Sequence, residues 1–431
     1  MNLLRHSDPS LRLQLSRDLI RTLKRGHPWV FADALQERPP APPGSLALLL
    51  DPRGKPLALG MYDPGPTLCF RACVVASDGD GGTRGARSTM HADASRTRPA
   101  VPYDASRKRA ALELSEAWAA HQLARARDLR TALLSDDSTG YRLVNGEGDG
   151  MPGLVVDVYA ETAVIRMDGE GPAGFWHAPG VARWVERALG VTCVVERSRG
   201  EEGGRALVGS APAEPVTFLE NGVWFTADVL RGQKTGFFLD QRENRARVRG
   251  LSAGRRVLNL FGYTGGFSVY AGMGGASHVT TVDLAAPAID AAQSHWQMNG
   301  LPHREHEPVV ADVFDFLDQA AQSGSRWDLV IADPPAFAPN QAAVPSALAA
   351  YRRLIAASAT VTEPGGWLCA ASCSSHVGLP EFLDACEGGI GLVRRRATVL
   401  GISGQPFDHP TPLAMPEFRY LKFVIMRVDP A

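Results

Sequence analysis

The sequence predicts an α/β protein: a doubly wound, mostly parallel sheet in its second half, preceded by a small β-barrel and a small central α/β unit. Three observations carry this. Beyond residue 228, short apolar runs alternate with stretches of helical length, the pattern of βα units. Residues 10–76 instead hold several short strands separated by turn signals, as in a small barrel. Residues 77–100 contain almost no large apolar side chain, which predicts a flexible linker and a domain boundary. The expected division is 1–76, a linker at 77–105, a central unit at 106–215 and the large sheet at 216–431.

Taken in order, Leu11 to Leu15 alternates apolar and polar residues, as a half-buried strand does, and Ser16 opens a short helix with Leu19, Ile20 and Leu23 on one side. Pro43-Gly44, Asp51-Pro-Arg-Gly54 and Asp63-Pro-Gly65 punctuate strands at Leu46–Leu50, Pro56–Met61 and Thr67–Val75. An amphipathic helix is expected from Ser106 to about Leu134. Leu154–Tyr159 and Ala163–Met167 read as a hairpin, Val181–Leu189 as a helix and Val191–Arg197 as a strand. Asn221-Gly222 between Val216–Glu220 and Val223–Ala227 is the strongest hairpin signal in the chain. The βα series then follows, with strands expected at Arg256–Phe261, Val279–Asp283, Val309–Ala311, Asp328–Asp333 and Trp367–Ser372.

Composition narrows the class. The 431 residues are 45% apolar and 21% charged, normal for a folded domain protein, and no apolar run approaches the ~18 residues of a membrane helix. Six cysteines make no disulfide framework, so a reducing cytoplasm is expected. The net charge of −1 conceals an asymmetry: residues 1–134 carry 20 basic and 13 acidic side chains (+7), the remainder 25 and 33 (−8). A basic front suits a polyanion. Arg17, Arg21, Lys24, Arg25, Arg71, Arg107, Lys108 and Arg109 are the candidate phosphate contacts.

In a doubly wound sheet, chemistry gathers at the carboxyl ends of the strands. The first strand ends in Phe261-Gly-Tyr-Thr-Gly-Gly-Phe267, a glycine-rich turn into a helix that lacks the dinucleotide fingerprint. The second ends at Asp283, an acid suited to a ribose diol, and the third at Asp312, suited to an adenine amino group. The fourth ends in Asp333-Pro-Pro-Ala-Phe337, a rigid loop holding a carboxylate and an aromatic. A lone strand-end acid is usually a helix cap, but four such ends at successive strands are not explained by capping.

With these motifs the chain resembles the class I S-adenosylmethionine-dependent methyltransferases. More narrowly, it resembles the bacterial large-subunit ribosomal RNA cytosine-C5 methyltransferases that carry an N-terminal PUA domain. The resemblance runs through Gly26-His-Pro-Trp-Val-Phe31, Tyr141–Asp157, Gly232-Gln-Lys-Thr-Gly-Phe-Phe-Leu-Asp-Gln-Arg-Glu-Asn-Arg245, Phe261–Ser268, Asp333–Phe337, Ser372-Cys-Ser374 and Asp408-His-Pro410. It departs where Phe-Gly-Tyr replaces a frequent serine before the tyrosine, and in the long linker. It implies a PUA-like module, a central α/β domain and a Rossmann-like catalytic domain. It also implies that Gln241, Phe261, Tyr263, Thr264, Gly265, Asp283 and Asp312 surround S-adenosylmethionine, and that RNA (large-subunit ribosomal RNA or an assembly particle) is the partner.

Cytosine C5 is a poor nucleophile, so a thiolate must add to C6 and an acid must stabilise the charge that develops at N3. Cys373 is the expected nucleophile and Asp333 the expected partner of N3. No second cysteine occurs near Asp333-Pro-Pro, which implies a single-cysteine route; Cys369 is expected to be inert packing. Two other functions stay open: methylation of an exocyclic amine, which Asp-Pro-Pro followed by an aromatic also resembles, and a non-catalytic assembly factor. No metal is expected, since Cys369, Cys373 and His376 lack a fourth ligand. No membrane partner is expected, and a homodimer stays open. Trp29 and Phe31 read as barrel core, His303 and His306 as solvated, Lys234 as close to substrate or cofactor, and Arg394-Arg-Arg396 as either a strand edge or a phosphate contact.

Overall fold

Short, turn-bounded apolar runs build the N-terminal unit. Strands β1 (Leu11–Gln14), β2 (Trp29–Phe31), β3 (Ser45–Leu50), β4 (Pro56–Tyr62) and β5 (Leu68–Val75) pair in the order β1-β3-β4-β5-β2, with helix α1 (Ile20–Lys24) between the first two. Leu15, just past β1, bridges Leu35, just past β2, and so joins the two edges of the sheet. The computed structural model describes residues 2–5, 11–76, 112–198 and 203–431. The expected linker and Arg107, Lys108 and Arg109 lie outside the described residues.

Helix α2 (Glu116–Leu133) begins later than the composition suggested: Ser115 is its cap, its hydroxyl accepting the Trp118 N–H at 3.3 Å. The central sheet follows, in the order β10-β9-β8-β7-β6, from β6 (Gly140–Asn145), β7 (Leu154–Tyr159), β8 (Thr162–Met167), β9 (Cys193–Arg197) and β10 (Arg205–Val208). Helices α3 (Glu170–Phe175) and α4 (Ala178–Leu189) connect β8 to β9. Trp176, fully buried, anchors this core and stacks on Trp118 at 6.0 Å.

A hairpin of β11 (Val216–Glu220) and β12 (Val223–Ala227) turns at Asn221 and Gly222, both at positive φ (48° and 74°), as its Asn-Gly sequence demands. Helix α5 (Arg242–Leu251) then leads into the large sheet. Its strands are β13 (Arg256–Leu260), β14 (His278–Asp283), β15 (His306–Val310), β16 (Trp327–Ala332), β17 (Thr362–Ser372), β18 (Arg395–Ser403) and β19 (Lys422–Pro430). Helices α6 (Gly266–Met273), α7 (Ala286–Met298), α8 (Val313–Ser323), α9 (Val344–Val361) and α10 (Leu379–Leu392) connect the first six. The order is β15-β14-β13-β16-β17-β19-β18; β13 to β17 pair in parallel and β19 is antiparallel to both neighbours. Leu329, Val330 and Ile331 are fully buried, the continuous apolar run of a strand covered on both faces; each contributes roughly 1.5–3 kcal/mol of burial. The strand order reverses beside β13, which opens a crevice over the ends of β13 and β16. Among the described residues no helix is long and apolar enough to cross a membrane.

Three expectations need correction, and a fourth, left between two readings, resolves to the strand edge, since β18 is the last strand of the sheet. Trp29 is half-buried and Phe31 exposed, so they are not barrel core; the Trp29 Nε1–H donates to Glu147 at 2.7 Å and its ring meets Phe418 at 5.7 Å. His306 is not solvated: it is buried, stacks on Trp296 at 4.7 Å and bonds Thr281 at 2.8 Å, and burial lowers its pKa to about 4. Arg71 turns inward onto Glu147 at 3.1 Å instead of offering a phosphate contact, whereas Arg21, Lys24 and Arg25 lie on an exposed surface. Finally, the Arg395 guanidinium donates to the carbonyls of Ala359 and Thr362, tying β18 to the α9–β17 junction.

Candidate active site

The crevice deepens into a cavity of about 370 Å³, within the range of small-molecule sites. Of the nine residues expected at the site, eight line it: Gln241, Phe261, Tyr263, Thr264, Asp283, Asp312, Asp333 and Cys373. The ninth, Gly265, stands behind it at the start of α6, where φ is 76° and an added Cβ would come within 2.6 Å of the Ala292 Cβ. Only glycine fits there.

Local chemistry explains how these side chains converge. Phe261 and Tyr263 are held at positive φ (56° and 46°), as is Lys234 (54°); strained non-glycine backbone is gathered at this cavity. The Asp283 carboxylate accepts the N–H groups of Tyr263 (2.8 Å) and Ala285 (2.9 Å), so this one acid shapes both the turn after β13 and the entry to α7. Asp312 caps α8, its Oδ1 accepting Phe314 N–H at 2.8 Å and Asp315 N–H at 3.2 Å. The capping reading and the cavity-lining reading are therefore both true of it. Tyr263 meets Phe238 edge-on at 5.3 Å, and the Thr264 carbonyl is held by His295 at 2.8 Å. Two acids at the ends of adjacent strands, beside aromatic rings and a glycine-rich turn, fit a nucleoside that carries a diol and an exocyclic amine.

The far wall is different. Asp333 accepts the Gln241 Nε2–H at 2.9 Å, and Gln241 is in turn held by Asn244 Nδ2 at 2.7 Å. Burial, then the nearby charge of Asp240, pushes the Asp333 carboxyl up to about 7. Cys373 follows β17; burial first and the Asp333 charge second push its thiol up to about 11, with Lys234 and Lys422 opposing. Lys422 Nζ donates to the carbonyls of Ser374 (2.6 Å) and Tyr420 (2.8 Å), clamping the loop just after Cys373. Cys369 is fully buried in β17 with its thiol pushed up to about 12 by burial, the expected inert packing.

Lys234 lines the cavity as expected, and its Nζ pairs with Asp240 at 2.6 Å. Sequence reasoning missed Asp240, Phe238, Tyr420 and Leu421. The first two sit inside the Gly232–Arg245 string, whose density of polar residues between apolar ones was the available signal. Tyr420 reaches Asp240 (2.7 Å) from a distant connection between β18 and β19 and carried no local signal.

Comparison with known proteins gives the family. Residues 178–388 match the family described as S-adenosylmethionine-dependent methyltransferase, and residues 13–72 match the PUA-like domain. Fold, cavity and matches together define a methyltransferase that uses S-adenosylmethionine and carries an N-terminal PUA-like domain. A Streptococcus mutans protein described as a SAM-dependent methyltransferase superposes with a TM-score of 0.78, over 97% of this chain and 100% of its own, at 22% identity. A second methyltransferase, complexed with S-adenosylhomocysteine, gives 0.79 over the same shares at 24% identity. A ribosomal RNA large subunit methyltransferase of Deinococcus radiodurans is 38% identical over 98% of each chain. Ribosomal RNA large subunit methyltransferase I of Shewanella amazonensis is 34% identical over 97% of this chain and 100% of its own. The chain belongs to the ribosomal RNA large subunit methyltransferase family.

Proposed function

We propose that the protein methylates C5 of a cytosine in large-subunit ribosomal RNA through a covalent Cys373–C6 adduct. The observation that carries the reading is the pairing, in one cavity, of a cysteine with a half-buried carboxyl raised to about 7, opposite the nucleoside-shaped wall of Asp283 and Asp312. When bound, S-adenosylmethionine supplies an electrophilic methyl group on a sulfonium. Gln241, Phe261, Tyr263, Thr264, Asp283 and Asp312 are the residues that hold it, with Gly265 shaping the turn behind.

The chain's own residues do the rest. The Cys373 thiol gives up its proton to solvent, the thiolate bonds to C6, and the ring electrons move toward N3, where the Asp333 carboxyl donates its proton. C5 then takes the methyl group. A base removes the C5 proton, the Cys373–C6 bond breaks as the ring double bond returns, and N3 gives its proton back to Asp333. A proton on Asp333 serves twice, because it also removes the negative charge that opposes the thiolate. The target base must leave its stack to reach Cys373, and the exposed basic face of α1 in the PUA-like unit is suited to holding the RNA backbone meanwhile.

Amine methylation fares worse, because it needs the aromatic after Asp333-Pro-Pro to stack on the base. Phe337 instead packs on Tyr351 at 4.9 Å. The test is Cys373→Ala: 5-methylcytosine formation falls by at least about 1000-fold while S-adenosylmethionine binding, read by calorimetry, stays within about threefold. RNA carrying 5-fluorocytidine traps the wild type covalently and does not trap the variant. An active alanine variant overturns the reading.

A further inference from the structure

Asp240 stands out in the cavity wall. It is only 3% exposed, and one carboxylate oxygen takes both the Lys234 ammonium (2.6 Å) and the Tyr420 hydroxyl (2.7 Å). Its other oxygen, Oδ1, is buried and meets no donor among the described residues. An unmet buried acceptor on an ionised group is costly, and folded proteins keep few of them. Asp240 lines the same cavity as Asp333 and Cys373, the place where the target base must lie.

Resting on the cytosine-C5 reading, we propose that Asp240 reads the 4-amino group of the target cytosine, its Oδ1 accepting an N4–H while Asp333 meets N3. The two carboxyls hold opposite states. Burial works against ionisation of Asp240, but Lys234 and His409 outweigh it and keep it well below the ordinary carboxylate range; Asp333 is raised to about 7. One anionic acceptor beside one protonated donor is complementary to cytosine, which offers a donor at N4 and an acceptor at N3. Uracil inverts both: its O4 faces the Asp240 anion and its N3–H faces the Asp333 proton. Asp240 is thus a specificity residue, set by Lys234 and Tyr420.

The experiment first maps 5-methylcytosine in large-subunit ribosomal RNA with and without this gene, then uses the full chain and short synthetic RNAs spanning that nucleotide, with 5-fluorocytidine or 5-fluorouridine in its place. The wild type traps the cytidine RNA at least about 100-fold more efficiently than the uridine RNA. In Asp240→Asn the amide can donate to O4, and loss of the Asp240 charge lets Asp333 ionise and accept N3–H, so the preference collapses to within about tenfold. An Asp240→Asn protein that binds S-adenosylmethionine normally yet keeps the full preference overturns the assignment. A wild type that traps neither RNA overturns the covalent reading beneath it. A second measurement needs no variant: RNA with 2-pyrimidinone riboside, which lacks the 4-amino group, binds the wild type about 10- to 100-fold more weakly than cytidine RNA. Equal binding overturns the assignment.

Discussion

Asp408 and Asp240 are both buried carboxylates in connections of the catalytic unit, yet their surroundings are opposite. Asp408 has both oxygens engaged: Oδ1 with His409 Nδ1 at 2.9 Å, Oδ2 with Arg242 Nη1 at 2.9 Å and the Arg142 N–H at 3.0 Å. Its carbonyl also takes Arg130 Nη2 at 2.7 Å, so this one residue fastens α2 and β6 of the central unit to α5 of the catalytic one. Asp240 leaves an oxygen open beside the cavity. Asp408, with both oxygens answered, holds two units together, whereas the unmet oxygen of Asp240 is the acceptor assigned to the base.

The sharpest way to break this contrast is Asp408→Ala. Removing Asp408 leaves the fully buried Arg242 guanidinium with only the half-buried Glu243 carboxylate at 3.2 Å, and stability measured by urea unfolding falls by about 3–5 kcal/mol. A loss below about 1 kcal/mol would show that the docking does not depend on this charge.

The next effect is on pH dependence, where two carboxyls act with opposite sign. Burial opposes ionisation of Asp408, but His409 and Arg242 outweigh it and hold its pKa below the unfolded value. Its stabilisation is therefore complete above the unfolded pKa and is lost as pH falls through the folded one. Asp333 is the reverse: the unfolded chain releases that proton near ~4, the folded one near 7, so stability drops as pH rises across that window and is level above it. Asp333→Asn removes the drop, on the order of 2–4 kcal/mol, while Asp408→Asn flattens only the acid side. Melting temperature against pH for the three proteins checks both slopes.

The smallest effect belongs to Tyr420→Phe. It deletes one of two donors to Asp240, so kcat/KM for RNA falls by about tenfold with S-adenosylmethionine affinity unchanged. An equal loss of cofactor affinity would place Tyr420 on the other wall.

Much of this was legible in the sequence, and the residues say why. Asp283, Asp312 and Asp333 could be placed because alternating βα units fix where strands end, and strand ends in such a sheet point to one side. The Asn221-Gly222 hairpin was equally local. What escaped was built by tertiary contact. His306 looks polar in its connection, but a tryptophan from α7 covers it. Trp29 looked like core because its indole partner, Glu147, is 118 residues away. Strands β18 and β19 escaped because β18 is largely exposed along Val399, Leu400 and Ile402 and its partner lies beyond a long connection. Asp240 was hidden by its own position: nothing in Phe238-Leu-Asp240 says that a tyrosine 180 residues later will reach it.

The order of the last strands has a consequence for synthesis. Strand β19 follows β18 in the chain but lies between β18 and β17. A nascent chain leaving the ribosome therefore carries β17 with one open edge until Lys422–Pro430 has emerged and slid into the gap. Lys422 is the first residue of that strand, and it is also the clamp on Ser374. The cysteine loop is thus set in place only when translation has passed it by some fifty residues, so incomplete chains lack a formed site.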